Sequence, residues 1–174
     1  MKLLKKFFYI IIIFNLSNNS TYADTPHFVD FKYILNSSSA GKKAQSFLKN
    51  KMDNGIKKLQ SQEKLIQEEE KKIISQKKVV SAEEYRKKVT DLRNKVAALQ
   101  KERNTLFENV GQQRSKAKSE LLKNLNPIIK DYMVENKIRM VIDKKSILLA
   151  DESLDLTKPI TEILNKKLKS IKLN

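Results

Sequence analysis

The residues that could perform chemistry are few in this sequence and lie far apart. A run of serines, Ser37 to Ser39, could supply a nucleophile, but no histidine or other general base lies near it in the sequence. Serine is also a preferred residue at helix N-termini, and a long helical pattern begins directly after the run. We therefore interpret the serines as a turn and a helix cap.

Metal and thiol chemistry have no better support. The chain contains no cysteine, which excludes thiol catalysis and cysteine-based metal sites. His27 is the only histidine and cannot form a multi-ligand metal site alone, so we expect it to be an exposed residue near the N-terminus of the mature chain. Asp30, Asp143, Asp151 and Asp155 fall in predicted strands or turns, where solvation and capping explain them. With no glycine-rich phosphate loop either, we expect no catalytic, cofactor-binding or metal-binding residue.

Positive charge is the strongest remaining signal. The chain has 36 basic and 20 acidic residues, a net charge of +16. Seven basic residues cluster within positions 71–88 against only Glu83 and Glu84. Such a cluster attracts anionic lipid, nucleic acid or acidic protein, although an ordinary solvated helix face is the alternative. The cluster, called the basic tip below, comprises Lys71, Lys72, Lys77, Lys78, Arg86, Lys87 and Lys88.

The basic tip lies where two predicted helices meet. Ser81 followed by Glu84 is a capping-box pattern, so the second helix is expected to begin there. Apolar residues every seven positions precede it, at Met52, Leu59, Ile66, Ile73 and Val80. Steps of four and three follow it, at Tyr85, Val89, Leu92, Val96, Leu99, Leu106 and Val110, with Arg103 in a position that should be apolar. These repeats predict an antiparallel coiled-coil hairpin whose first helix projects about 60 Å.

The outer part of this hairpin is expected to be soft. The row that begins with Leu48 and Ile56 continues with charged residues at Glu63, Glu70 and Lys77, so the apolar seam is incomplete there. Three apolar residues lie off the main stripe, and they are either scattered surface residues or a weak apolar lining for a bound polypeptide. These residues are Leu65, Ile74 and Val79.

Two glycines interrupt the helical patterns. Gly55 and Gly111 lie 26 and 30 residues from Ser81, so in an antiparallel hairpin they would sit within about one turn of each other. Each costs roughly 1 kcal/mol relative to alanine inside a helix. We predict a hinge at this height, with coincidence as the alternative.

The first 23 residues have the pattern of a secretory signal peptide. Lys2, Lys5 and Lys6 precede the apolar stretch Phe7 to Leu16, and Thr21-Tyr22-Ala23 provides a cleavage site after Ala23. Cleavage would lower the net charge from +16 to +13, because three lysines and no acidic residues would be removed. A retained membrane anchor is the alternative, but the apolar stretch is short for a span of roughly 20 residues. We therefore expect a periplasmic protein.

The rest of the chain predicts a small body at the root of the hairpin. We expect residues 24–41 to contribute a strand and a turn, residues 42–126 to form the hairpin, and residues 127–174 to complete the body. Pro127 predicts a kink or break near Asn126. Residues 139–143 and 146–150 predict a β-hairpin, and Thr157 starts a terminal helix. Three short strands and one helix make a poor core alone, so the pattern predicts assembly of several copies.

The sequence resembles the periplasmic chaperone family Skp, also called OmpH-like. The resemblance covers nearly the whole mature chain and rests on the order and spacing of short segments around a basic hairpin. The segments are Phe28-Val29-Asp30, Ile34-Leu35-Asn36, Ser39-Ala40-Gly41-Lys42, Val141-Ile142-Asp143-Lys144, Leu148-Leu149-Ala150-Asp151 and Leu154-Asp155-Leu156-Thr157. The sequence departs from the family at residues 136–139, which lack the usual glycine and aromatic residue.

The resemblance implies a homotrimer in which short strands form a shared central β-barrel and three helical hairpins surround a cavity. It implies an ATP-independent holdase that keeps unfolded outer-membrane proteins soluble until they insert into the membrane. The tip and off-stripe residues would then contact clients, and anionic lipid or lipopolysaccharide would be a further partner.

Two other function classes compete with this hypothesis. A sequence pI near 9.9 is typical of nucleic-acid-binding proteins, but export argues against nucleic acid as the partner. A structural envelope spacer would have a rigid hairpin with no affinity for unfolded protein. Cellular location separates the first alternative from the chaperone, and binding of unfolded protein separates the second.

Overall fold

The structure, a computed structural model, describes residues 25–173. The predicted signal peptide, residues 1–23, lies outside these residues. The described part is mostly helical with one small sheet, as expected. In chain order the elements are β1 (His27–Val29), α1 (Phe31–Ser37), α2 (Ser39–Gln76), α3 (Ala82–Glu135), β2 (Val141–Asp143) and α4 (Thr157–Lys167).

Two long helices dominate the molecule. The Ser81 Oγ accepts a hydrogen bond from the Glu84 N–H at 3.2 Å, so α3 begins with the predicted cap. Contacts pair ascending positions of α2 with descending positions of α3, as in Lys58–Glu102 and Glu69–Lys95. The helices therefore run in opposite directions, and we call the hairpin of α2 and α3 the arm. No helix within residues 25–173 is long and apolar enough to cross a membrane.

The arm is longer at its root than the sequence indicated. Helix α3 continues through Pro127 to Glu135, so the predicted break near Asn126 does not occur. Proline costs about 3 kcal/mol inside a helix, but Leu125, Ile128 and Ile129 beside it are buried in the main core. Burial of three such side chains, at about 1.5–3 kcal/mol each, outweighs that cost.

The end of α3 is a Schellman motif with an unusual residue. The Ile138 N–H donates to the Met133 carbonyl at 2.8 Å, and the Lys137 N–H donates to the Val134 carbonyl at 3.3 Å. Lys137 has a φ of 56°, the left-handed conformation that normally favours glycine. Lys137 therefore takes the position that glycine usually holds at such a helix end.

The body joins the two ends of the chain. Strand β1 pairs in parallel with β2, with Phe28 opposite Ile142, and the Phe28 carbonyl accepts from the Leu156 N–H at 2.9 Å. The predicted strand within residues 24–41 is only three residues long, because Asp30 caps α1 directly after β1. The main core contains Val29 and Ile34 from the N-terminal part, Leu121, Leu125, Ile128 and Ile129 from α3, and Leu156, Ile160 and Leu164 from the C-terminal part.

The predicted β-hairpin of residues 139–150 is wrong. After β2, residues 144–146 form a 3₁₀ turn that Asp143 caps, with its Oδ1 accepting from the Lys145 N–H at 3.2 Å. Residues 147–150 have no regular structure, and Leu148 and Leu149 are 96% and 90% exposed. Within residues 139–150, only β2 forms a strand as predicted, because it pairs with β1 from the N-terminal part of the body.

One glycine in the body is required by a close approach. A Cβ on Gly41 would lie 2.0 Å from the Leu35 carbonyl oxygen, whereas a Cβ on Gly111 would meet no atom within 4 Å. The first turn of α2 therefore passes too close to α1 for any side chain.

We expect Gly41→Ala to lower the free energy of unfolding by about 2–3 kcal/mol or more, because the backbone must shift. Gly111→Ala is the matched control and should raise it by up to about 1 kcal/mol, because alanine favours the helix. Urea unfolding followed by circular dichroism measures both. Equal effects of the two substitutions would contradict the close packing of α1 against α2.

Candidate functional site

The residues first considered for chemistry have structural roles. Ser38 is fully buried and caps α2, its Oγ accepting from the Gly41 N–H at 3.2 Å. The four aspartates each accept a backbone N–H at a helix start or turn, as the capping interpretation predicted. Their donors are Tyr33 for Asp30, Lys145 for Asp143, Ser153 for Asp151 and Thr157 for Asp155. Across residues 25–173 no cluster of acidic or histidine side chains could hold a metal ion.

Asp155 also ties the body together. Its Oδ1 accepts from the Thr157 N–H at 2.8 Å, and its Oδ2 lies 3.4 Å from the Lys144 Nζ. Partial burial raises the pKa of Asp155, but these hydrogen bonds outweigh it and hold the pKa below its ordinary value. The Thr157 Oγ1 in turn accepts from the Asp30 N–H at 2.8 Å, which links both ends of the chain.

His27 differs from the expectation of an exposed terminal residue. It is half-buried in β1, and its backbone N–H donates to the Met140 carbonyl at 3.0 Å. Its Nδ1 is buried and forms no hydrogen bond to any residue within 25–173. His27 is the first residue of β1, so its backbone pairs in the sheet and its side chain is partly covered.

The basic tip lies at the far end of the arm. Lys71 and Lys72 belong to the last turns of α2, Lys77 and Lys78 to the connecting turn, and Arg86, Lys87 and Lys88 to the start of α3. Six of the seven are exposed. The partly buried Lys88 bonds Glu84 at 2.9 Å and Gln76 at 2.8 Å. The structure therefore gathers all seven at one end of the molecule, as the hairpin predicted.

The off-stripe apolar residues of the arm are open to solvent. Leu65, Ile74 and Val79 are 65%, 60% and 83% exposed. Ile74 and Val79 therefore leave apolar surface uncovered among the cations of the tip, whereas Leu65 lies nearer the root on α2, one turn before Glu68 and Glu69.

The seam between α2 and α3 is only partly covered. Leu59 and Ile73 are buried, but no α3 residue from Ala82 to Asn109 is. Two of the charged seam residues meet, since the Arg103 Nη2 lies 3.4 Å from the Glu63 Oε2. Exposed pairs of this kind contribute about 0–1 kcal/mol, so the outer arm has less cohesion than its root.

Further polar pairs set the register of the arm. Lys58 lies 3.2 Å from Glu102, and Gln62 also bonds Glu102 at 3.5 Å. These hydrogen bonds, together with the charge of Lys58, hold the pKa of the exposed Glu102 carboxyl below its ordinary value. The contacts fix which residues face each other more than they hold the helices together.

The two arm glycines have different surroundings. A Cβ on Gly55 would lie 2.5 and 2.6 Å from the Leu106 δ carbons, so Gly55 lets the helices approach closely. Gly111 faces open space. Alanine at position 111 is therefore still expected to raise the free energy of unfolding. At position 55 the Leu106 side chain would first have to move to make room. Sequence reasoning missed this packing role.

Sequence reasoning also missed an apolar surface on the body. An open groove of about 390 Å³ lies between α1, α3 and β2, and its lining includes Phe31, Ile129 and Met133. Met140 of the groove is also exposed, and the body has further exposed apolar side chains at Tyr33, Val134, Leu148 and Leu149. The apolar run from Ile147 to Leu149 was the available signal.

Comparisons with known proteins agree with this architecture. A sequence model of the family outer membrane protein (OmpH-like) matches residues 27–164. Among solved structures, that of an OmpH-like protein from Caulobacter crescentus CB15 has a TM-score of 0.79 and 20% sequence identity, with 86% of this chain and 90% of that chain covered. No curated protein matches the sequence.

Proposed function

Because the chain belongs to the outer membrane protein (OmpH-like) family, we propose that it is an ATP-independent holdase chaperone of the periplasm. Its clients are unfolded outer-membrane β-barrel proteins, which it keeps soluble for membrane insertion. The similar Caulobacter protein carries a provisional assignment as an outer membrane chaperone.

The observation that carries this proposal is the surface of the outer arm. Leu65, Ile74 and Val79 are exposed: Ile74 and Val79 lie among the cations of the basic tip, and Leu65 lies nearer the root on α2, where the seam is half-covered. Isolated apolar side chains give weak contacts to an unfolded chain, while positive charge attracts its acidic segments. Many weak contacts suit a protein that must bind unfolded clients and still release them.

The body supports assembly into a homotrimer. Its sheet has two strands of three residues, and the exposed Leu148 and Leu149 follow β2 after one short turn. A sheet this small is rarely stable alone, and unpaired edges favour pairing with another chain. In the proposed trimer, strands from three copies share one β-barrel, and three arms enclose the client cavity.

We place the proposed hinge of the arm at the level of Gly55 and Gly111 along its length. Beyond them the seam passes to the charged pair Glu63–Arg103, which contributes little cohesion. Gly55 packs closely against Leu106, so bending at the hinge depends on that contact between α2 and α3. Bending there would let the arms splay around large clients.

The basic tip is the proposed contact for anionic lipid or lipopolysaccharide. The tip lies at the far end of the arm from the body, and six of its seven cations are exposed. Each cation near an anionic membrane contributes about 1 kcal/mol. The same charge would draw in acidic client segments.

We expect residues 24–174 to sediment as a trimer and to prevent aggregation of an unfolded outer-membrane β-barrel protein diluted from urea, without nucleotide. Replacing Leu65, Ile74 and Val79 with serine should weaken this protection several-fold and leave the trimer intact. Sedimentation and light scattering measure the two properties.

A folded monomer at micromolar concentration would contradict the assembly, and protection that requires ATP would contradict the mechanism. Unchanged aggregation in the presence of the wild-type protein would favour the structural spacer.

We expect the change of Lys71, Lys72, Lys77 and Lys78 to glutamine to weaken binding to anionic phospholipid vesicles tenfold or more, because about 1 kcal/mol per residue is lost. A matched variant changes four exposed lysines nearer the root, Lys42, Lys43, Lys49 and Lys57, and should bind nearly as well as wild type. Vesicle co-sedimentation at two salt concentrations makes the comparison.

Equal weakening in both variants would show that net charge, and not the tip, is responsible. Tighter binding to DNA than to vesicles would favour the nucleic-acid alternative.

A further inference from the structure

The C-terminal tail, residues 168–173, leaves the body and lies along the root of the arm. Leu173 is 8% exposed and packs in a cluster with Ala44 and Leu48 of α2 and Val110 and Ala117 of α3. Earlier in the tail, Ile171 contacts both this cluster and the main core. The tail therefore connects the body to the arm across an apolar groove.

The groove is built from small and apolar residues on both helices. Ala44 and Leu48 lie one turn apart on α2, while Val110 and Ala117 lie two turns apart on α3. The two alanines leave room for an incoming side chain, which Leu173 fills. Met52 and Leu106 continue the apolar surface toward the tip and are only partly buried.

Only apolar contacts hold the tail after α4 ends. The Leu168 N–H still donates to the Leu164 carbonyl at 2.7 Å. Beyond it, residues 169–173 form no hydrogen bond or ion pair with other residues in the described range 25–173. Burial of two aliphatic side chains must offset the ordering of five residues, so the docked tail is only marginally favoured.

The last three residues of the described tail, 171–173, alternate as in a β-strand. Ile171 and Leu173 pack on the protein, and Lys172 between them is exposed. Strands of membrane barrels alternate in the same way, apolar on the lipid face and polar on the other. The family match ends at residue 164, so the tail lies beyond it.

We propose that this groove is a binding site for extended segments of unfolded protein with apolar side chains at alternate positions, and that the tail is a displaceable strap that occupies it. The inference rests on the holdase function proposed above and assigns to it one defined contact site. A client segment must compete with the tail, so its apparent affinity is reduced by the fraction of time that the groove is open.

The test uses a labelled ten-residue peptide of alternating leucine and threonine, with fluorescence anisotropy as the readout. Leu173→Asp should expel the tail, because a carboxylate cannot be buried unpaired in an apolar groove. If the tail covers the groove nine-tenths of the time, this variant binds the peptide roughly tenfold more tightly than wild type.

Two further variants locate the effect. Lys172→Gln changes an exposed tail residue and should bind the peptide as wild type does. Ala117→Lys should displace the tail while filling the groove with its own side chain, so peptide affinity should not rise. Thermal unfolding checks that each variant remains folded.

Equal peptide affinity in wild type and Leu173→Asp would overturn the strap, and so would an equal gain in Ala117→Lys. An unfolded outer-membrane β-barrel protein is the second probe. If it binds wild type and Leu173→Asp equally, the holdase proposal stands and the strap fails. If it binds neither while the peptide still distinguishes them, the groove is a peptide site and the holdase proposal fails.

Discussion

The fold depends on the apolar seam between α2 and α3, where each helix has one other helix to cover its apolar stripe. A stripe that repeats every three and a half residues needs cover from another helix, and here α2 and α3 cover each other from one side only. Cover is best near the root, where Leu48, Val110 and Ala117 are buried, and poorest along the first half of α3. The Glu63–Arg103 pair interrupts the seam between these regions. The arm is therefore well packed at its root, while its outer part can be deformed at a small cost in free energy.

The root is firm because the chain ends meet there. Strand β1 lies against β2, the Leu156 N–H bonds the Phe28 carbonyl, and the Ser39 N–H bonds the Asn165 Oδ1 at 2.7 Å. The start of α2 is thus tied to both ends of the body. Because the arm is inserted between these ends in the sequence, its two helices leave and return at one place. Deformation of the outer arm then need not disturb the body, which would suit the proposed holdase function.

The sequence predicted the features that local chemistry decides. The seven-residue repeat and the Ser81–Glu84 cap were enough to place the long helices and their turn, and the basic tip followed from that reversal. Helix α4 also begins at Thr157 as predicted, although Asp155 accepts its first N–H. Features set by distant partners were missed. Residues 146–150 have strand composition but no strand partner within residues 25–173, and Pro127 stays in a helix because its neighbours are buried. The docking of Leu173 depends on a groove between two helices, which periodicity in one helix cannot show.

Hydrogen exchange along α2 and α3 of the assembled protein tests the central account most directly. The account predicts strong protection near Leu48 and Val110, a decrease beyond Gly55 and Gly111, and the least protection near Val80. Addition of an unfolded outer-membrane β-barrel protein should raise protection in the outer arm and leave the body unchanged. Uniform protection from root to tip, unaltered by the client, would contradict both the soft outer arm and its proposed role in holding clients.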